Sequence, residues 1–169
     1  ALRTPGDPLL NAQYALAQVQ AYPAWEYEVG NSSRVTIAVI DTGIDGTQPD
    51  LSSKLSNTPS LIFNPTTGAG SANNLPTPAC NHATHVSGVA AAATDNGVQV
   101  AGLSWGAQLV SFKVFADADC NTDCSDKLFL NSCTTSDSAI IVALSTAAAL
   151  QNTAAYGRIV ANLSLGGAG

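Results

Sequence analysis

The chain has little charge, and positive charge is what it has least of. Only 11% of its 169 residues are Asp, Glu, Lys or Arg, and six Lys and Arg stand against twelve Asp and Glu, a net charge of −6. Nucleic acids and anionic membranes bind proteins through clustered cations, so we expect neither as a partner. The acidic excess leaves carboxylates that can bind a cation such as calcium.

Long apolar runs are absent too. No run of about 18 apolar residues occurs, so the sequence predicts no segment that spans a bilayer. The first residues lack the apolar core of a signal peptide, and a secreted form would therefore be the processed one. Apolar residues nevertheless make up 46% of the chain, which is enough for one domain with a full hydrophobic core.

Cysteine occurs four times, and three of the four lie in one polar stretch, 117–137. This arrangement is typical of a surface loop held by disulfides, although four thiols allow three pairings and the sequence does not choose among them. Disulfides would indicate an oxidising, extracellular compartment. The alternative is zinc, but the spacing of these thiols matches no familiar zinc site. The cysteines are Cys80, Cys120, Cys124 and Cys133.

Apolar runs rich in branched residues alternate with helical segments. Runs of this kind predict strands buried on both faces. Their alternation with helices predicts an α/β fold in which a mostly parallel sheet lies between two layers of helices. Functional groups in such sheets gather at the carboxyl ends of the strands. The strands are predicted at 35–40, 60–63, 108–115 and 158–165, and the helices at 82–94 and 136–156.

A carboxylate stands at the end of the first strand, in Asp41-Thr42-Gly43. Such an Asp is often only a turn former. The same triplet occurs in aspartic proteases, which need a second carboxylate that shares a proton. No second Asp-Thr-Gly occurs in this chain, and the α/β pattern argues against that all-β class.

The two histidines, His82 and His85, lie in the first turn of the helix predicted at 82–94. They could form a zinc site with Cys80, but no further ligand is near in sequence. We expect His85 to be a core histidine with its ring nitrogens bonded to the backbone. His82 opens the helix, where the dipole disfavours added positive charge. A neutral imidazole there can accept a nucleophile's proton while Asp41 fixes its tautomer.

Five segments together resemble the amino-terminal half of a subtilisin-like serine protease, nearest to the thermitase branch of the subtilases. They occur in the family's order and span the chain apart from the cysteine loop. The resemblance implies a subtilisin-like fold in which residues 1–169 form the amino-terminal part of one catalytic domain. The segments are Thr4–Pro8, Ile40–Gly43 with Pro49–Leu51, His82–Gly88, Val100–Leu103 and Asn162–Gly167.

The family's chemistry is peptide-bond hydrolysis through an acyl-enzyme. The resemblance implies that Asp41 orients His82, which acts as general base and then as general acid. The nucleophilic Ser and the Asn that donates to the oxyanion lie further along such chains. We therefore expect a complementary carboxyl-terminal chain as a partner, with a nick near Gly169 as the simplest arrangement, and protein or peptide substrates. The implied substrate-binding residues are Ser164, Leu165 and Gly166, and on a second strand Cys133, Thr134 and Thr135.

The resemblance also implies a structural calcium site. Two carboxylates with neutral oxygens suit a hard cation of six to eight ligands. The alternative is that both carboxylates are turn or cap residues. The implied ligands are the side chains of Asp7, Asp50 and Asn96 and the backbone carbonyls of Ala93, Val98 and Val100.

One residue departs from the family pattern. The family has Gly immediately after its catalytic His, and this chain has Ala83. A methyl group there could shift His82, and small displacements cost catalysis heavily, although alanine suits a helix start. The alternative function is a non-catalytic homologue that binds a peptide or a partner.

Overall fold

The computed structural model describes residues 3–31, 34–55, 61–63, 70–71, 80–116 and 133–166, with the backbone alone at 61–63 and 70–71. Cys120, Cys124 and Gly167 lie outside the described residues. A short 3-10 helix covers Leu10–Ala12. The α-helices are α1 (Tyr14–Gln18), α2 (Ala21–Trp25), α3 (Pro49–Leu55), α4 (His82–Ala91) and α5 (Asp137–Leu150); the strands are β1 (Val35–Asp41), β2 (Leu61–Phe63), β3 (Gly70–Ser71), β4 (Gln108–Lys113) and β5 (Arg158–Asn162).

The strands form one sheet in the order β3-β2-β4-β1-β5. β1 pairs in parallel with both β4 and β5, and β2 pairs in parallel with β4. Among the described strands, only β3 runs antiparallel, to β2. The predicted, mostly parallel α/β sheet is confirmed, and β1 lies between β4 and β5, so its carboxyl end has a neighbouring strand on each side.

Helices cover both faces of the sheet. Alternate side chains of a strand point to opposite faces, and β1 follows this rule. Ala38 and Ile40 pack with the alanines of α5, whereas Val39 packs with Leu51 of α3 and Ala83 of α4. The fold is therefore three-layered. None of the helices in the described part of the chain is long and apolar enough to cross a membrane.

Two helices end earlier than the sequence predicts. α4 ends at Ala91 rather than at residue 94 because Ala92 has an extended backbone, with ψ 148°. α5 ends at Leu150 rather than at residue 156, since Gln151 has an extended backbone with ψ 131°, and Asn152 then adopts a left-handed conformation with φ 61°. The N–H of Asn152 donates to the Gly157 carbonyl at 2.7 Å, so residues 151–157 form a turn instead of two further helical turns.

The last strand differs most from expectation. We predicted a buried strand at 158–165, but β5 ends at Asn162 and its side chains are mostly exposed. β5 pairs only with β1, and Val160 is 53% exposed. The apolar composition of β5 was interpreted as burial, whereas among the described strands β5 is an open edge. β4 also ends earlier than predicted, at Lys113.

The loop after α4 is held by close backbone packing. Gly102 lies against the end of α4, where an added Cβ would be 2.2 Å from the Ala92 nitrogen. Next along the loop, the Leu103 carbonyl accepts a hydrogen bond from the buried Trp25 indole at 2.9 Å. Only glycine fits at position 102 without moving the backbone.

We predict that Gly102→Ala lowers the free energy of unfolding by about 1–3 kcal/mol, because the methyl group overlaps backbone that cannot rotate away. Gly88→Ala, in the middle of α4, is the matched control: its Cβ would meet nothing within 4 Å, and alanine is the better helix former. Urea denaturation of both variants provides the measurement. Equal effects at the two positions would contradict the packing argument.

Candidate active site

A buried carboxylate stands where β1 ends. Asp41 is 1% exposed at its side chain, and a buried charge needs hydrogen bonds to offset its lost hydration. The backbone N–H of Thr42 donates to Asp41 Oδ1 at 2.6 Å. The other partner of this carboxylate is His82.

His82 is the first residue of α4, and its ring meets Asp41. Nδ1 lies 2.9 Å from Oδ1 and 3.0 Å from Oδ2 of the carboxylate. An ionised carboxylate only accepts hydrogen bonds, so Nδ1 carries the proton and Nε2 is left as the basic nitrogen. The His82 side chain is 43% exposed, which leaves the ring accessible beyond its contact with Asp41.

His82 lines a shallow cavity of about 350 Å³. Ser164 lies in the same cavity, so the structure brings one of the predicted substrate-binding residues beside the histidine. The remaining lining residues are His85, Val86, Val89, Ala90, Leu103 and Asn162.

The other predicted substrate-binding residues differ in their surroundings. Leu165 packs against the core cluster beneath α5, and Gly166 is exposed with open space where a Cβ would stand. Cys133, Thr134 and Thr135 form irregular backbone before α5 rather than the strand that we expected. The Thr135 hydroxyl donates to the carbonyl of Val114 just beyond β4, which ties this segment to the sheet edge.

Two cysteines meet at the rim of the site. Cys80 precedes His82 by two residues, and its Sγ lies 3.8 Å from that of Cys133. The two sulfurs of a disulfide lie about 2.05 Å apart, so this separation is a nonbonded contact. Pairings that involve Cys120 or Cys124 fall outside the described residues.

His85 is not the core histidine that we predicted. Its side chain is exposed on α4, beside Val89, which is 65% exposed. Within the described part of the chain, no three His, Cys, Asp or Glu side chains meet as a metal site, so Cys80, His82 and His85 do not assemble the zinc alternative.

The known proteins that this chain resembles are proteases. The model of the Subtilase family matches residues 32–168. The chain belongs to the subtilase family. Halolysin from Haloferax mediterranei is 40% identical over 104 residues, 62% of this chain and 20% of halolysin. Thermitase from Thermoactinomyces vulgaris is 31% identical over 120 residues, 70% of this chain and 39% of thermitase. The chain thus spans well under half the length of these relatives.

A solved structure agrees with the assignment to the subtilases. Protease from Pseudoalteromonas arctica superimposes with a TM-score of 0.54 at 25% identity, over 66% of this chain and 39% of that one. The predicted subtilisin-like fold is confirmed for this part of the domain.

This subtilase chain accommodates its Ala83. The residue is fully buried and packs in the cluster that contains Ile44 and Leu51. Its N–H donates to the Thr42 hydroxyl at 3.1 Å. Because His82 still lies 2.9 Å from Asp41, the extra methyl group leaves the pair in contact.

The residues assigned to calcium meet in the loop after α4. Asp7 accepts from the N–H groups of Asp95 and Asn96, at 2.8 and 3.2 Å. Asp50 accepts from the Asn96 side-chain amide at 3.1 Å and from the Val100 N–H at 2.9 Å. Both carboxylates are buried, and in the described part of the chain neither is paired with a cationic side chain.

These residues fit a hard cation in charge and chemistry. Each oxygen of the two carboxylates holds one hydrogen bond and keeps a second lone pair. Within the described residues, the carbonyls of Ala93, Val98 and Val100 accept no hydrogen bond. Asn96 Oδ1 accepts from the Val98 N–H at 2.8 Å, so this amide would have to turn over to become a ligand.

We predict that Asp41→Asn moves the His82 proton from Nδ1 to Nε2. The Thr42 N–H would hold the Asn oxygen, and the amide NH₂ would then face Nδ1 as a donor. Nitrogen-15 NMR of the imidazole rings distinguishes the two tautomers. Exposed His85 is the internal reference, because its signal should not change. A wild-type His82 that already carries its proton on Nε2 would contradict the Asp41–His82 geometry.

Proposed function

We propose that this chain is the Asp- and His-bearing part of a secreted serine endopeptidase. The observation that carries the proposal is the contact between His82 Nδ1 and the buried Asp41 carboxylate. A carboxylate in this position holds the imidazole in the tautomer whose Nε2 can accept a proton, and it stabilises the imidazolium that forms. Because the chain belongs to the subtilase family, the reaction expected of this pair is peptide-bond hydrolysis.

The proposed reaction has two stages. As a serine Oγ attacks the substrate carbonyl carbon, its proton passes to His82 Nε2, and then to the leaving amine as the C–N bond breaks. A water molecule repeats the transfer and releases the acyl group. The serine and the oxyanion-binding Asn belong to a complementary carboxyl-terminal segment. Asp41 remains ionised throughout.

A protein or peptide substrate would bind beside β5. Ser164 lies in the same cavity as His82, and Gly166 leaves its backbone open to approach. An extended peptide can add to exposed backbone of this kind, with main-chain hydrogen bonds supplying affinity. We propose Ser164, Leu165 and Gly166 for one side of the substrate and Cys133, Thr134 and Thr135 for the other.

The open edge of β5 supports the proposal of a complementary segment. Apolar grooves flank this edge on both faces of the sheet. One is the cavity beside His82, and the other, of about 320 Å³, lies between α5 and β5 and includes Leu144 and Ile159. Exposed strand edges with apolar flanks require cover. The segment would continue the sheet, either on the same polypeptide or on a separate chain produced by a nick.

Secretion is supported by the cysteines. The four cysteines would form disulfides, which persist in oxidising compartments. The contact between Cys80 and Cys133, with their Sγ atoms 3.8 Å apart, supports this expectation. No feature of the described residues favours the non-catalytic alternative, since Ala83 leaves the Asp41–His82 contact in place.

The test uses the complete protein, analysed by native and denaturing mass spectrometry with and without a serine-reactive fluorophosphonate. We expect the label on a serine of the complementary segment.

His82→Ala should reduce kcat/KM for peptide hydrolysis by at least about 10⁴-fold, because members of such a triad act as a unit. Ser145→Ala, exposed on α5, is the control. Unchanged hydrolysis in His82→Ala would overturn the proposed function.

We further propose that Asp7, Asp50, Asn96 and the carbonyls of Ala93, Val98 and Val100 bind calcium. Two buried carboxylates that have no cationic partner among the described residues support this site. The ion would stabilise the loop after α4 and attach the amino-terminal segment to it. It takes no part in the proton transfers.

Calcium at 100 times its Kd should stabilise the wild type by about 2.7 kcal/mol relative to the protein in chelator. Asp50→Asn should lose most of this gain. Asp95→Asn is the matched control, because Asp95 is in the same loop but its carboxylate accepts from the Gly6 N–H at 2.8 Å. Thermal denaturation measures the effect, and a calcium response equal in all three proteins would exclude this site.

A further inference from the structure

α4 begins without a cap of its own. Asn81 occupies the N-cap position but makes no side-chain hydrogen bond to the helix. The first N–H groups of a helix have no partner within it, and an N-cap side chain normally accepts from the second or third of them. The residue whose position depends on this helix start is His82.

A threonine from another part of the chain supplies the missing cap. The Thr42 hydroxyl accepts from the N–H of Ala83, the second residue of α4, at 3.1 Å. Thr42 is itself buried and follows Asp41 directly. Its own N–H donates to Asp41 Oδ1 at 2.6 Å. One residue therefore contacts both the carboxylate and the start of the histidine helix.

A second threonine makes the reverse connection, because it lies on α4 and accepts a hydrogen bond from the loop after β1. Thr84, the third residue of α4, accepts from the Asp45 N–H at 2.9 Å through its hydroxyl. The turn that contains Asp45 is ordered in its own right, because the Thr47 hydroxyl and backbone N–H donate to the Asp45 carboxylate at 2.6 and 2.9 Å. These bonds also hold the pKa of Asp45 below its usual value.

The bonds of Thr42 and Thr84 correspond to the two reciprocal hydrogen bonds of a capping box. In that motif, the N-cap side chain accepts from the helix, and the third helical residue accepts from the backbone before it. Here the two roles are divided between segments separated by about 40 residues of sequence. We name Thr42 and Thr84 the hydroxyl clamp.

We propose that the hydroxyl clamp is a positioning device that sets the distance and angle between Asp41 and His82. The inference rests on the proposed function for its catalytic meaning, but not for its geometry. α4 and the loop after β1 could otherwise shift along each other, because three of the four α4 residues in the core cluster that contains Ile44 are alanines. The bond between Thr42 and Ala83 fixes the position of α4 relative to this loop. It joins the residue after Asp41 to the residue after His82.

Thr42→Val is the main test, because valine keeps the shape of threonine and removes its hydroxyl. Thr42→Ser restores the hydroxyl and should rescue the effect. We expect Thr42→Val to lower the His82 population protonated at Nδ1 in nitrogen-15 NMR spectra. In the complete protein, kcat should fall about 10- to 100-fold with KM little changed, as small displacements of a catalytic group do.

Thr84→Val should act in the same direction, because it releases the Asp45 turn from α4. Thr146→Val is the matched control: its hydroxyl donates to the Val142 carbonyl within α5 at 2.8 Å, away from the site. Circular dichroism and thermal denaturation of every variant separate a loss of fold from a loss of position.

Two results would overturn the clamp. One is a Thr42→Val protein that folds with the wild-type His82 tautomer population and kcat. The other is a loss in Thr42→Val that Thr42→Ser does not restore. The NMR measurement needs no proteolysis, so a clamp confirmed in a protein without peptidase activity would disprove the proposed function alone. A normal peptidase insensitive to both valine variants would disprove the clamp alone.

Discussion

The burial of one carboxylate constrains the rest of this structure. Asp41 stands at the end of β1, a strand with a neighbour on each side, and has almost no contact with solvent; a charge in that position is costly unless hydrogen bonds surround it. The Thr42 N–H and the His82 ring supply those bonds. Because His82 is the first residue of α4, satisfying the carboxylate also determines where α4 begins. Among the described residues, the same bonds use Nδ1 of His82 and leave its basic nitrogen, Nε2, without a partner. The contact that stabilises the buried carboxylate is therefore also the contact that the chemistry requires.

The sheet explains why these residues can meet. β1 lies between β4 and β5, and its side chains are used on both faces, by α5 on one side and by α3 and α4 on the other. Such a strand tolerates little movement along its axis, because a shift of one residue exchanges the side chains of the two faces. Asp41 is therefore held by packing, and two hydrogen bonds, Ala83 N–H to the Thr42 hydroxyl and Asp45 N–H to the Thr84 hydroxyl, join the start of α4 to the loop that follows Asp41.

The parts of this arrangement that follow from local pattern could be predicted from the sequence. The apolar run before Asp41 indicates a buried central strand, and the small residues after His82 indicate a helix that packs closely. The resemblance to the subtilases supplies the order in which these elements meet. The roles of Thr42 and Thr84 could not be predicted in this way, because each bond joins residues about 40 positions apart and threonine is common at turns. The early end of α5 depends on the extended Gln151 and the left-handed Asn152, backbone conformations that the alanine-rich sequence before them does not specify.

The two largest errors have one physical origin. His85 and β5 are both expected in the core, and both are exposed. They lie on the same side of the molecule, since His85 lines the cavity that also includes Asn162, the last residue of β5. Hydrophobic patterning predicts that a surface is covered but not what covers it. Val89, Leu103 and Val160 are exposed on this side as well. Their apolar side chains are typical of a buried surface, and the element that would cover them is not among the described residues. The proposed complementary segment is the element that such an interior requires, and it would complete the site at the edge where His82 is open.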